Sequence, residues 1–100
     1  MLAGGSKGSI FFWNVADGSI LFEIQGTFGN INSLDFSPDN SILASGSDDA
    51  VVRLWDTTNG TLLKALTGHT SPVSSVCFSP TGQDIASGAN EGIIRIWGIP

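Results

Sequence analysis

The chain is 100 residues long, and its 4 Lys and Arg against 9 Asp and Glu leave a net charge of −5. That balance offers no face able to neutralise a run of phosphates, so nucleic acid is not an expected partner. With 41 % hydrophobic and 13 % charged residues there is ample core material and a bland surface, which excludes a disordered segment.

In chain order, residues 9–13 (Ser-Ile-Phe-Phe-Trp) form the first predicted strand, and Asp17-Gly18 turns the chain into a second at 20–24. A third, 31–36, alternates in character and stops at Ser37-Pro38-Asp39-Asn40, where proline presets the dihedral of a tight turn. Strands at 42–45, 51–55 and 62–66 follow, separated by Gly46-Ser47-Asp48-Asp49 and Thr58-Asn59-Gly60. Gly68-His69-Thr70-Ser71-Pro72 leads to a strand starting at Val73, Ser79-Pro80-Thr81-Gly82 to one starting at Ile85, and the last spans 93–97. No window carries helical periodicity with a start and a stop signal, so the fold is all-β.

Trp13, Trp55 and Trp97 are each 42 residues apart, and the chain matches itself at that offset without a gap. Leu43-Ala44-Ser45-Gly46 falls on Ile85-Ala86-Ser87-Gly88, and Phe36-Ser37-Pro38 on Phe78-Ser79-Pro80. Val51-Val52-Arg53-Leu54-Trp55 falls on Ile93-Ile94-Arg95-Ile96-Trp97. A period of about 40–45 residues is the mark of an array whose unit is one small sheet. A sandwich would share the strand lengths but not the self-match.

Gly68-His69, Phe36-Ser37-Pro38-Asp39, Leu43-Ala44-Ser45-Gly46-Ser47-Asp48-Asp49 and Arg53-Leu54-Trp55-Asp56 together resemble the WD-repeat β-propeller family. The resemblance implies four-stranded antiparallel blades arranged around a ring. It predicts an incomplete ring of about two and a half blades: an incomplete first blade at 1–25, a complete one at 26–67, and three strands of a last one at 68–100. The expected placement is the carboxyl end of a propeller whose earlier blades are missing.

His69 is the only histidine. In family terms its imidazole bonds the hydroxyl of Ser87, which meets the Trp97 ring nitrogen, while Glu91 orients the histidine. The middle blade has Ser45, Asp49 and Trp55 at the matching positions but Thr27 in place of histidine, and the first has Lys7 in place of the carboxylate. Such a network satisfies buried polar groups and stiffens a blade. Its likeness to a Ser-His-acid triad is superficial, since no oxyanion donors accompany it.

No catalytic residue, cofactor or metal site is expected. Adjacent carboxylates such as Asp48 and Asp49 seldom face one target, and Gly4-Gly5-Ser6-Lys7-Gly8 lacks phosphate-loop spacing. Cys77 is the only cysteine, so no internal disulfide forms, which fits an intracellular, cytoplasmic setting. Residues 10–12 make too short an apolar run for a membrane span.

The resemblance implies a protein-binding scaffold. Its candidate partner-binding residues are Asn30, Asn32 and Asp48 in the middle blade and Pro72, Ser74 and Asn90 in the last. Phe11 and Phe22 replace surface-type positions held by Arg53 and Lys64 in the next repeat. They either cover each other at a blade edge or form an apolar interface. The alternative role is structural: a module completing a ring or an oligomer, self-associating through open blade edges.

Overall fold

The structure is a computed structural model that describes residues 2–13, 17 and 19–98. Its described residues form eight antiparallel strands and no helix: β1 (Leu2–Trp13), β2 (Ile20–Phe36), β3 (Ile42–Ser47), β4 (Val52–Asp56), β5 (Leu62–Leu66), β6 (Val73–Phe78), β7 (Asp84–Ala89) and β8 (Ile94–Gly98). They make one sheet in the order β1-β2-β3-β4-β5 and another in the order β6-β7-β8.

β2 differs from the sequence expectation, which had separate strands at 20–24 and 31–36. Its first half pairs with β1 and its second with β3. The reason lies in the connecting residues. Gly68 to Val73 is broken by Pro72, whereas Gly26 to Asn30 contains Thr27 and Phe28, which tolerate extended backbone, and no proline. The expected break survives in the pairing: the register jumps from Ser9↔Gln25 to Lys7↔Asn30, so residues 26–29 face only Gly8.

Two buried layers form the core, one among strands of the five-stranded sheet and one between that sheet and the three-stranded one. Ile10, Phe12 and Ile24 pack against Leu43 and Trp55, with Ile31, Leu34 and Phe36 around them. Ala44, Val52, Leu54 and Leu66 pack against Val73, Val76, Phe78 and Ile85. The contacts repeat with the sequence: Ile10 and Phe12 occupy the positions of Val52 and Leu54, and all four are buried. Gly46 allows the second approach, because a Cβ there would lie 2.6 Å from Val73 Cγ1.

β6 is an edge strand, and its outward amides are capped by the neighbouring sheet. Val76 N–H donates to Ser33 Oγ at 3.1 Å and Phe78 N–H to Asp35 Oδ2 at 2.8 Å. The far face of the last sheet is uncovered. Ile94 and Ile96 are 73 % and 67 % exposed, whereas their counterparts Val52 and Leu54 are 0 % and 3 % exposed. Beside Ile96 lies an open hollow of about 270 Å³, lined also by Cys77, Phe78 and Ala86.

Candidate functional site

In the last repeat, His69 comes from the loop before β6, Ser87 from β7, Glu91 from the β7–β8 turn and Trp97 from β8. They join in one chain of hydrogen bonds. His69 Nδ1 meets Glu91 Oε1 at 2.8 Å, His69 Nε2 meets Ser87 Oγ at 2.7 Å, and Trp97 Nε1–H donates to Ser87 Oγ at 2.8 Å. Glu91 also accepts from the Thr70 amide at 3.0 Å and the Thr70 hydroxyl at 2.8 Å. The Thr70 amide leads in holding its carboxyl down to about 2; burial opposes this, while the Thr70 hydroxyl and His69 assist.

The serine in this chain is no nucleophile. Ser87 is 1 % exposed and the His69 side chain is enclosed, so no substrate carbonyl reaches the hydroxyl. The group ties the loop after β5 to the outer strand β8.

The middle repeat divides the same positions into two groups. Trp55 Nε1–H donates to the buried Ser45 Oγ at 3.0 Å. Asp49 turns to Arg53, whose Nη2 reaches Oδ2 at 2.6 Å, and to the Ser47 hydroxyl at 2.6 Å. Burial raises its carboxyl, but the Arg53 and Ser47 contacts outweigh this and leave it lowered. The side chain of Thr27, at the histidine position, lies outside the described residues, as do those of Lys7 and Phe22.

Ser47 and Arg53 were not singled out by sequence as site residues. The signal was a register difference: Ala89 stands where Ser47 does. Without that hydroxyl, and with Glu91 committed to His69, Arg95 pairs with no carboxylate among the described residues and donates from Nη2 to the Gly68 carbonyl at 2.9 Å.

The six candidate partner-binding residues gather at the end of the sheets formed by the β3–β4 and β7–β8 turns. The Asp48 amide donates to the Asn30 carbonyl at 3.0 Å, and the Asn90 amide to the Pro72 carbonyl at 3.1 Å. The register skips Asn32 between Ile31↔Ser47 and Ser33↔Gly46, and skips Ser74 at the matching place on β6. Such bulges re-aim a side chain. Asn32 Nδ2 thereby bonds both Asp48 Oδ1 at 2.8 Å and the Val73 carbonyl at 2.9 Å, which bridges the two repeats. Ser74 instead donates to its own Gly88 carbonyl at 3.2 Å. Asn30, Asn32, Asp48, Ser74 and Asn90 are exposed and Pro72 is half-buried. Phe11, the other described candidate, is half-buried on β1.

No group of three His, Cys, Asp or Glu able to hold a metal occurs among the described residues, and no helix there is long and apolar enough to cross a membrane.

A model of the WD domain, G-beta repeat, matches residues 18–56 and again 60–98. The chain belongs to the WD-repeat family. Repeats of this family generally mediate protein–protein interaction as non-catalytic scaffolds. Among curated relatives, the chain is 40 % identical over 53 residues to the protein ROOT INITIATION DEFECTIVE 3 of Arabidopsis thaliana, covering 53 % of this chain and 12 % of that protein. It is 41 % identical over 51 residues to the pre-rRNA-processing protein IPI3 of Scheffersomyces stipitis, covering 50 % of this chain and 10 % of that protein. It is 42 % identical over 55 residues to the periodic tryptophan protein 2 homolog of Schizosaccharomyces pombe, covering 53 % of this chain and 6 % of that protein. These WD-repeat matches thus span a small part of each relative's length.

Proposed function

We propose that the chain is a protein-interaction scaffold without chemistry of its own, binding partners through the sheet end that carries Asn30, Asn32, Asp48, Pro72, Ser74 and Asn90. The observation that carries this reading is the bridge from Asn32 to Asp48 and to the Val73 carbonyl, which fixes two exposed polar side chains of one repeat against the backbone of the next. Loops set rigidly on a scaffold are the usual seats of recognition. We take the repeats as units at 1–25, 26–67 and 68–100, which assigns Asn30, Asn32 and Asp48 to the second unit and Pro72, Ser74 and Asn90 to the third. One relative is named for pre-rRNA processing, which supports an intracellular setting and a place in a protein assembly.

The test uses a co-purifying partner and the triple replacement of Asn32, Asp48 and Ser74 by alanine. Calorimetry is expected to show at least tenfold weaker binding. The matching replacement of Ser41, Thr58 and Thr81, at the opposite end, leaves affinity unchanged. Equal affinity for both variants overturns the placement.

A second reading is that the chain is a structural module that completes a ring or an oligomer. The exposure of Ile94 and Ile96, set against the burial of Val52 and Leu54, favours it. Light scattering over a hundredfold concentration range discriminates, since one discrete oligomer that loses its order on Ile96→Ser places assembly first.

A further inference from the structure

Among the described residues, three acidic side chains stand at the end of the sheets that carries the bridge, and two are internally committed. Asp49 is paired with Arg53, and Glu91 with His69 and Thr70. Asp48 has no cation within ion-pair distance among the described residues. It is nevertheless held in place. Its amide is tied to the Asn30 carbonyl, its Oδ1 to Asn32, and its Cβ sits where only a glycine fits opposite, since a Cβ at Gly29 (φ +77°) would lie 3.0 Å away. A carboxylate fixed in this way loses little further freedom on binding.

The hydrogen-bonding inventory determines what it would bind. Both neighbours of Asn32 Nδ2, the Asp48 carboxylate and the Val73 carbonyl, accept only, so the amide orientation is fixed and both of its N–H groups are engaged. The groups left over are acceptors: Asp48 Oδ2 and Asn32 Oδ1. A surface offering negative charge and spare acceptors, with the local amide donors used, is matched by a planar, donor-rich cation. The repeat supplies a contrast, because the last blade has Asn90 and Ser74 at the matching positions and carries no charge there.

We infer that the Asn32–Asp48 pair is the seat for an arginine side chain of a bound peptide. This rests on the reading of this sheet end as the partner-binding face, and names the chemistry it selects.

The experiment titrates the full ¹⁵N-labelled chain with two blocked pentapeptides, Gly-Gly-Arg-Gly-Gly and the same peptide with neutral citrulline for arginine. Amide shifts are followed at Asn30, Asn32, Asp48, Val73 and Ser74. The arginine peptide is expected to shift these amides saturably, with roughly threefold to fivefold weaker binding for Asp48→Asn, as loss of one surface ion pair implies. That variant keeps an oxygen for Asn32 and hence the local geometry.

Equal shifts with the citrulline peptide overturn the arginine assignment while leaving the binding face standing. Shifts at Asp39 and Asp84 as large as at Asp48 mean general attraction to an acidic protein and overturn it too. Absence of any shift at this end counts against both the assignment and the face. Lys7, the strand partner of Asn30, is the competing in-chain cation. If the arginine peptide binds only after Lys7→Met, Asp48 serves its own chain and the assignment falls.

Discussion

The Asp35 carboxylate accepts the backbone N–H of Phe78 at 2.8 Å, so a side chain of the five-stranded sheet caps the free edge of the three-stranded one. Ser33 does the same for Val76 at 3.1 Å. Successive repeats are therefore joined by polar bonds at their inner strands as well as by the Val52, Leu54 and Phe78 layer. The matching position on the last repeat is Cys77, whose thiol donates to the neighbouring Phe78 carbonyl.

Asp35→Ala leaves the Phe78 amide without its acceptor, and a stranded backbone donor costs about 1–3 kcal/mol. Urea unfolding is expected to show that loss, with Asp35→Asn intermediate because an amide oxygen remains. A midpoint unchanged by Asp35→Ala would mean that water serves the amide equally well.

The two hydroxyls Ser45 and Ser47 differ in what depends on them. Ser45→Ala removes the hydroxyl that accepts from the enclosed Trp55 ring nitrogen at 3.0 Å, at a cost of about 1–3 kcal/mol. Arg53→Met breaks a half-exposed ion pair, which is expected to cost roughly 0–1 kcal/mol. Denaturant midpoints that rank the two variants the other way would refute this division of the middle repeat.

Gly46→Ala drives a methyl to within 2.6 Å of Val73 Cγ1, and overpacking of this kind costs about 1–3 kcal/mol. The pairing of Gly46 with Val52 and Ser33 leaves little backbone freedom to relieve it. Thermal unfolding of Gly46→Ala checks this, and Gly46→Ala with Val73→Ala is expected to recover part of the loss.

Acid sensitivity follows from two carboxyls. Glu91 is lowered from 4.5 to about 2, chiefly by the Thr70 amide, and Asp39 from 3.8 to about 2, chiefly by the Ser37 hydroxyl. Both folded-state values lie below the unfolded ones, so their stabilisation is complete above 4.5 and drains away as pH falls toward 2. The stability difference between the native chain and Glu91→Gln should therefore shrink over that window. A difference that is flat from pH 5 to 2.5 would contradict the network at Glu91.

Much of this architecture is legible in the residues, because turns at Ser37-Pro38 and Ser79-Pro80 and the tryptophan spacing are local chemistry repeated at one offset. The continuity of β2 is not, since Thr27 and Phe28 suit either a loop or an extended strand and pairing with β1 decides. Nor is the partner choice of Asp49: a sequence register places it opposite a missing histidine, while Arg53, four residues on, reaches it in space. The bulge at Asn32 is equally silent, because an extra residue in a strand shows only against its partner's register. The inter-repeat bonds of Ser33 and Asp35 sit at alternating polar positions that sequence pattern reads as solvent-facing.

The most direct test of the scaffold account is the amide hydrogen-exchange footprint of the chain bound to a co-purified partner. Protection concentrated at residues 29–32, 47–50, 71–75 and 89–92 is the predicted result. Protection along β8 around Ile94 and Ile96, with those four segments unchanged, would contradict it and transfer the function to assembly through the open sheet.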